Sequence, residues 1–282
     1  MAKNTKLKNK SFLNLFDLAG EVAVVTGGQG MLGGEYAETL ARAGAVVAVL
    51  DIKATGGKKI TKLKKSGLPI FEYKVDLTDK NAVDETIQSI EKKLGTPTIL
   101  VNNAGLGAMP TSSMLIDGPF EDYSSEAWET MIDSHMKSAF FVSQAVVRAM
   151  RRAKKKGSIV NVSSTYGVVS PDQSIYEFRR RRGEKYYKPV SYTVAKSAMI
   201  GFTKWLSEYA GPFGIRVNTL APGGVYTSDL DPEFVREYEK RTILGRMAKP
   251  TDYNGAVLFL ASRASEYVTG TVLIVDGGWT AR

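Results

Sequence analysis

The chain has 282 residues, of which 43% are hydrophobic and 24% charged, a composition typical of a globular protein and not of a disordered or fibrous one. It has no cysteine and a single histidine, His135, which excludes disulfides, cysteine nucleophiles and a metal site built from either residue type. The net charge of +9 is concentrated in the N-terminal arm, residues 151–156 and Arg179 to Arg182. A solvated helix end accounts for residues 151–156, so we expect no nucleic-acid partner.

Residues 1–16 form a basic N-terminal extension, which has no apolar stretch of the kind that a secretory signal carries. No run approaches the roughly 18 consecutive apolar residues of a membrane span. We therefore expect a cytoplasmic protein without a membrane partner. Residues 17–282 are predicted to form a single dinucleotide-binding catalytic domain, because no linker or internal repeat marks a second one.

Seven short apolar runs alternate with helical patterns along the chain. We predict strands at Glu21–Thr26, Ala45–Leu50, Ile70–Val75, Thr98–Val101, Ser158–Val162, Ile215–Leu220 and Val272–Val275. Repeated βα units connect through right-handed crossovers. The expected fold is α/β: a Rossmann-like, doubly wound sheet of about seven parallel strands, with helices on both faces.

Two long connections, 106–125 and 165–190, follow predicted strands at their carboxyl ends. Open α/β sheets bind ligands at that edge. Loops of such length in a compact domain are usually functional. We therefore expect both segments to contribute to a substrate site.

A glycine-rich turn joins the first strand to the first helix, and Gly28, Gly30 and Gly33 satisfy G-x-G-x-x-G. Such a turn lets backbone amides approach a pyrophosphate at the helix N-terminus. Asp51 follows eighteen residues after Gly33, where a carboxylate can accept hydrogen bonds from the adenosine ribose hydroxyls. Because a carboxylate repels a 2′-phosphate, NAD(H) is favoured over NADP(H), although Lys53 lies nearby.

Tyr192 and Lys196 form the pattern Y-x-x-x-K in a helical segment, which puts both side chains on one helix face. Free tyrosine titrates near 10, and a neighbouring ammonium favours the phenolate. Tyr192 could then exchange a proton with a substrate oxygen. Taken alone, the same pattern also fits an ordinary pair on a helix surface.

These motifs occur in one order along the chain: the glycine turn, Asp51, Asp76-Leu77, Asn102 to Gly105, Ser163-Ser164, Tyr192 with Lys196, and Pro222 to Thr227. From about Phe16 to Trp279 the chain resembles the classical short-chain dehydrogenase/reductase family. Within it, the chain is similar to the branch of sugar and sugar-acid dehydrogenases and glycan-modification oxidoreductases.

The resemblance implies roles for the matching residues. Ser164 would hydrogen-bond the substrate oxygen, Tyr192 would donate or remove its proton, and Lys196 would hold the nicotinamide ribose and stabilise the phenolate. The cofactor would contact Gly27, Gln29, Gly30, Met31, Leu32, Asp51, Asp76, Leu77, Asn103, Ala104, Gly105, Pro222, Gly223, Val225 and Thr227, together with Tyr192 and Lys196. No metal is implied.

The chain departs from the family pattern at His135, in the segment Trp128 to Phe141. The family normally has an asparagine there, which holds a water of the proton relay. A histidine can both donate and accept hydrogen bonds, so His135 either serves the relay as a catalytic residue or is a packed helix residue with no role in it.

A second departure is an insertion of about fifteen residues between Ser164 and Tyr192. Its arginines, Arg179 to Arg182, could bind a phosphate or carboxylate, and its tyrosines could stack on a sugar-like ring. A solvated charged loop is the alternative for each arginine.

The sequence thus predicts NAD(H)-dependent interconversion of a secondary alcohol and a ketone. The substrate would be a small polar molecule: a sugar, a sugar acid or a sugar phosphate, the last two anionic. One alternative is a 3-oxoacyl-carrier-protein reductase, and another is a non-catalytic nucleotide-sensing regulator or scaffold. A homo-tetramer or homo-dimer would form through the helices near Trp128 to Met150 and Ala195 to Tyr209.

Overall fold

The computed structural model describes residues 12–53, 56–107 and 118–281. Seven strands in these residues form one parallel sheet of order β3-β2-β1-β4-β5-β6-β7. Their bounds are β1 Val22–Thr26, β2 Val46–Asp51, β3 Ile70–Lys74, β4 Ile99–Asn102, β5 Gly157–Val162, β6 Ile215–Pro222 and β7 Val272–Val275. The predicted doubly wound fold is confirmed, and each predicted strand is present within one or two residues at either end. Residues 1–11 of the basic extension and residues 108–117 of the first long connection lie outside the described residues.

Helices connect the strands. They are α1 Met31–Arg42, α2 Lys58–Lys65, α3 Lys80–Leu94, α4 Ser125–Ile132, α5 Ser138–Arg152, α6 Thr165–Val168, α7 Glu177–Arg181, α8 Val190–Ala210, α9 Pro232–Glu239 and α10 Asn254–Ala261. A π-helical turn at Asp133–Lys137 joins α4 to α5. Short 3₁₀ segments are found at Phe12–Phe16, Phe120–Asp122, Gln173–Tyr176, Gly211–Phe213, Pro250–Tyr253, Arg263–Ser265 and Trp279–Ala281. No helix among the described residues is both long enough and apolar enough to span a bilayer.

Both faces of the sheet are buried, and strand β2 shows how. Val47 and Val49 pack with α1 and α10 on one face, whereas Ala48 and Leu50 pack with α3 and α5 on the other. Alternate residues of a strand point to opposite faces, so a nearly continuous apolar run is required where both faces are covered. This is the reason that the central strands β1, β2 and β4 read as nearly unbroken hydrophobic runs, whereas the edge strand β3, which is partly exposed, does not.

Strands β1 to β3 are added toward one edge of the sheet and β4 to β7 toward the other, so the strand order reverses between the neighbours β1 and β4. The connections that leave these two strands turn to opposite sides, and this opens a crevice at their carboxyl ends. The Thr26 hydroxyl oxygen accepts hydrogen bonds from the backbone N–H groups of Asn103 at 2.9 Å and Ala104 at 3.0 Å. This side chain therefore fixes the floor of the crevice.

The insertion before Tyr192 is folded, because it contains α6, α7 and a 3₁₀ turn. The arginines for which anion binding and a solvated loop were both open pair with carboxylates of the protein. The pairs are Arg179 with Glu184, Arg180 with Glu177, Arg181 with Glu233, and Arg182 with Asp231 and Glu233. These ion pairs favour the alternative of a charged surface loop over anion binding, and α9 supplies carboxylates, Glu233 and Asp231, that the sequence order does not place beside the insertion.

Candidate active site

The glycine turn is closed to side chains. Gly27 has φ of +64°, and a Cβ on it would lie 2.9 Å from the Ala104 Cα. A Cβ on Gly33 would overlap the Gly27 carbonyl oxygen. The turn therefore needs glycine for close backbone packing, and it leaves the first N–H groups of α1 free to bind a phosphate.

A cavity of about 830 Å³ extends from this turn along the carboxyl ends of β2, β3 and β4. Its size falls within the range of small-molecule sites. The residues predicted to bind cofactor that line it are Gly27, Gly30, Met31, Leu32, Asp51, Asp76, Leu77, Asn103, Ala104 and Gly105.

Asp51 is buried at the end of β2 and lines this cavity. Its carboxylate accepts hydrogen bonds from the backbone N–H groups of Gln29 at 3.0 Å and Lys53 at 3.0 Å. A carboxylate has about four acceptor positions, so two remain for ribose hydroxyls. Gln29 itself does not line the cavity, and its side-chain amide donates to Glu72 at 2.8 Å.

A second cavity, of about 530 Å³, adjoins the first. The two share six lining residues: Met31, Leu32, Asn103, Gly105, Leu106 and Gly107. The second cavity brings together Ser164, Tyr192, Lys196 and His135 with Pro222, Gly223, Val225 and Thr227. The predicted catalytic residues therefore lie in one depression, next to the predicted cofactor groove.

Two helices position the three predicted catalytic residues, Ser164, Tyr192 and Lys196. Ser164 is the N-cap of α6, and its Oγ accepts a hydrogen bond from the Tyr166 N–H at 3.2 Å. Tyr192 and Lys196 lie one turn apart in α8, and Lys196 Nζ donates to the Val162 carbonyl at 3.0 Å. The Lys196 ammonium is 5.8 Å from the centroid of the Tyr192 ring.

Burial raises the pKa of Tyr192, and a hydrogen bond with Ser164 opposes the rise only in part. Burial also lowers the pKa of Lys196 to about 8. The expectation that the ammonium lowers the pKa of Tyr192 is therefore not met. The Lys196 ammonium donates a hydrogen bond to the Val162 carbonyl, and burial is the largest influence on the pKa of Tyr192. The raised pKa leaves the Tyr192 hydroxyl protonated at neutral pH.

His135 lies within the π-helical turn and is 2% exposed. Its Nε2 faces the Leu106 carbonyl at 3.1 Å, so this nitrogen carries the proton and donates. The Nδ1 atom is then an acceptor, and it is buried without a hydrogen-bond partner in the described part of the chain. Burial, and next the positive charge of Lys196, hold the pKa of His135 well below its usual value of 6.5, so the ring is neutral.

Sequence reasoning missed that a large part of the lining of this cavity is aromatic. Tyr166, Tyr176, Phe234 and Tyr238 line it, and Tyr176 stacks on Phe234 with ring centroids 5.6 Å apart. It also gave no role to Lys188, which lines the same cavity. The tyrosines of the insertion were noted, but no sequence pattern indicates which of them face the site and which pack behind it.

A parallel α/β sheet with a glycine turn at its crevice, and a serine, a tyrosine and a lysine in the adjoining cavity, defines an oxidoreductase that uses a nicotinamide dinucleotide. The family model described as "Enoyl-(Acyl carrier protein) reductase" matches residues 29–280. The chain belongs to the short-chain dehydrogenase/reductase family, whose members bind NAD(P) and whose alcohol and sugar dehydrogenases act on CH–OH groups.

Among curated relatives, the chain is 34% identical to a sorbose reductase of Candida albicans, covering 95% of this chain and 90% of that one. It is 35% identical to a 3-oxoacyl-[acyl-carrier-protein] reductase of Chlamydia muridarum, over 93% and 98%.

The chain is also similar to solved structures of dehydrogenases. A short-chain dehydrogenase of Leptospira borgpetersenii with bound NAD⁺ is 33% identical, with a TM-score of 0.80 and coverage of 94% and 95%. A gluconate 5-dehydrogenase of Burkholderia cenocepacia in complex with NADP and tartrate is 28% identical, with a TM-score of 0.83 and coverage of 96% and 99%.

Proposed function

We propose that this chain interconverts a secondary alcohol and a ketone on a small polar substrate, a sugar, a sugar acid or a sugar phosphate, with NAD(H). The observation that carries the proposal is that Ser164, Tyr192 and Lys196 line one cavity, which adjoins the cavity at the glycine turn. The sorbose reductase and gluconate 5-dehydrogenase among its relatives support the substrate class.

The residues of the second cavity would have separate roles in the reaction. The nicotinamide dinucleotide, when bound, supplies or accepts the hydride. Tyr192 gives the proton of its Oη to the substrate oxygen in the reductive direction and removes it in the oxidative direction. Ser164 donates a hydrogen bond from Oγ to the same oxygen, and Lys196 holds the nicotinamide ribose. The raised pKa of Tyr192 keeps it protonated, ready for reduction.

The glycine turn and Asp51 would bind the dinucleotide, and the closed Gly27 turn fits a pyrophosphate. NAD(H) is our choice over NADP(H), because the carboxylate of Asp51 faces the cavity. In a calorimetric titration, NADH should bind more tightly than NADPH. Asp51→Ser should reduce the ratio of NADPH to NADH dissociation constants about tenfold or more, because the repulsion between the carboxylate and the 2′-phosphate of NADPH is removed. Tighter NADPH binding by the unaltered protein would contradict the choice.

His135 would take the place of the relay asparagine. The neutral ring leaves Nδ1 as an unpaired acceptor, as the relay role requires, and because Gly105 covers this edge of the ring, a relay water would reach Nδ1 only when that backbone shifts. His135→Asn should retain turnover, whereas His135→Leu should lose about 10- to 100-fold and shift the pH–rate profile, with NADH affinity unchanged. If His135→Leu behaves as the unaltered enzyme does, the packed-residue alternative is correct.

Reduction of a 3-oxoacyl thioester is the second candidate, favoured by the relative from Chlamydia muridarum. A panel of aldonates, ketoses, polyols and their phosphates, assayed beside acetoacetyl thioester with both nucleotides, separates the two. We expect turnover on the polyhydroxy compounds. Turnover on the thioester alone would replace the first candidate, and nucleotide binding without any turnover would favour a regulator.

Assembly as a homo-tetramer or homo-dimer would use α5 and α8. Phe140, Trp205 and Tyr209 are exposed on these helices and line a cavity of about 640 Å³. Trp205→Glu should reduce the mass measured by analytical ultracentrifugation, and an unchanged mass would place the interface elsewhere. The cytoplasmic location and the division into an extension and one catalytic domain stay predictions.

A further inference from the structure

Lys188 is the last cation of the insertion, four residues before Tyr192. Gln173 holds its backbone: the Lys188 N–H donates to Gln173 Oε1 at 2.9 Å, and Gln173 Nε2 donates to the Lys188 carbonyl at 3.4 Å. The Lys188 ammonium lies 5.0 Å from the centroid of the Tyr192 ring and 5.6 Å from that of Tyr166. The insertion thus places a positive charge beside the group proposed to transfer the proton.

This charge is not neutralised by the described part of the chain. Each of the four neighbouring arginines has a carboxylate partner, whereas Lys188 has none within ion-pair distance. Asp229, the only acidic residue among those that line the cavity, is exposed and hydrogen-bonded to Thr227. Glu121 lines a neighbouring cavity with Lys188 but forms no ion pair with it.

A half-buried cation without a counter-ion is costly, and here burial alone lowers the pKa of Lys188 to about 8. The faces of two tyrosine rings compensate only in part. Lys196, the other ammonium in the cavity, is already hydrogen-bonded to Val162. An anionic group of a ligand would supply the missing partner for Lys188.

We propose that Lys188 binds an anionic oxygen group of the substrate, a carboxylate or a phosphate, close to the carbon whose oxygen meets Tyr192. The proposal deepens the proposed function and rests on it: it restricts the substrate to sugar acids or sugar phosphates and excludes neutral sugars. An ammonium binds such groups as a point charge with three donors, so it accepts either geometry. The role that the sequence suggested for Arg179 to Arg182 falls instead to this lysine.

The test compares three ligands with the same six-carbon frame: D-gluconate, D-glucitol 6-phosphate and neutral D-glucitol. Each is titrated calorimetrically into the protein saturated with NADH, and KM and kcat are measured with NAD⁺. The unaltered protein should bind one of the two anions at least about tenfold more tightly than glucitol. Lys188→Met should weaken the binding of that anion about 10- to 100-fold, the range expected for a charge-assisted hydrogen bond. The affinity for glucitol should stay nearly unchanged.

Lys188→Arg should restore part of the anion affinity. Lys185→Met is the matched control, because Lys185 is an exposed lysine of the same insertion that lines neither cavity. It should behave as the unaltered protein does. Whichever of gluconate and glucitol phosphate binds more tightly identifies the anionic group.

Equal affinity of the unaltered protein for all three ligands overturns the proposal. A loss in Lys188→Met that is the same for glucitol and for the anions also overturns it, and would assign Lys188 to stabilising the Tyr192 phenolate. Failure of the proposed function has a different signature: no turnover on any of the polyhydroxy compounds, although Lys188-dependent anion binding is measured.

Discussion

Adding one methyl group at Gly33 tests whether the glycine turn is a cofactor site built by close packing. The Cβ of Gly33→Ala would overlap the Gly27 carbonyl and lie 2.8 Å from the side-chain nitrogen of Asn103. Backbone lies on one side, so the turn cannot move aside without losing its shape. The matched control is Gly255→Ala, which makes the same change in α10, where no heavy atom beyond the local helix backbone lies within 4 Å of the new Cβ.

The expected magnitudes follow from these two environments. In Gly255→Ala, the helical preference of alanine should stabilise the protein by about 0.5 to 1 kcal/mol. Gly33 also lies in a helix, α1, and would gain the same amount. Overpacking costs about 1 to 3 kcal/mol, and this cost is the expected gap in unfolding free energy between the two variants. NADH affinity should fall about tenfold or more in Gly33→Ala only.

Urea unfolding followed by circular dichroism gives the free energies, and calorimetric titration gives the NADH affinities. If Gly33→Ala matches Gly255→Ala in both measurements, the turn tolerates a side chain and the packing argument for the phosphate site is wrong. If only the stability differs, the turn is a structural feature and does not bind the cofactor.

Three further outcomes are expected. Thr26→Val leaves the N–H groups of Asn103 and Ala104 without their acceptor and should cost about 2 to 4 kcal/mol of unfolding free energy, whereas Thr26→Ser should cost little; equal losses would refute this. The pKa of Lys188 is lowered from 10.5 to about 8, so unfolding takes up a proton between these values and the stability of the protein rises with pH in that window. Lys188→Met should therefore be more stable than the unaltered protein by about 1 to 3 kcal/mol at pH 7, and the difference should shrink between pH 8 and pH 10; a constant difference would contradict the assignment. Tyr253→Phe removes a 2.9 Å hydrogen bond to the Gly223 carbonyl and should lower the free energy of unfolding by about 1 kcal/mol, measured by thermal or urea unfolding. An unchanged free energy of unfolding would show that this bond is not formed.

The sheet could be predicted from the sequence because its central strands are buried on both faces. Runs such as Val46 to Leu50 then carry the signal locally, without reference to distant residues. The π-helical turn that holds His135 could not be predicted, because it depends on how α4 and α5 pack and not on any residue pattern. The sequence nevertheless singled out His135 itself, since it stands where the family has asparagine.

The predicted catalytic residues and the insertion before Tyr192 differ in the same way. Ser164, Tyr192 and Lys196 lie at positions fixed by strand and helix ends, so their order along the chain predicted their meeting. The insertion folds through long-range ion pairs, such as that of Arg182 with Asp231. The sequence does not reveal those partners, so it could not decide between anion binding and a charged surface loop for Arg179 to Arg182.

The most direct test of the central claim is turnover by Tyr192→Phe. The unaltered protein and the variant are assayed on the same panel of polyhydroxy alcohols and ketones, after NADH affinity has been measured for both by calorimetry. We expect the variant to bind NADH as the unaltered protein does and to lose about 100-fold or more in kcat, because the proton donor is gone. Unchanged turnover by Tyr192→Phe, or an unaltered protein that binds neither nucleotide, would contradict the account.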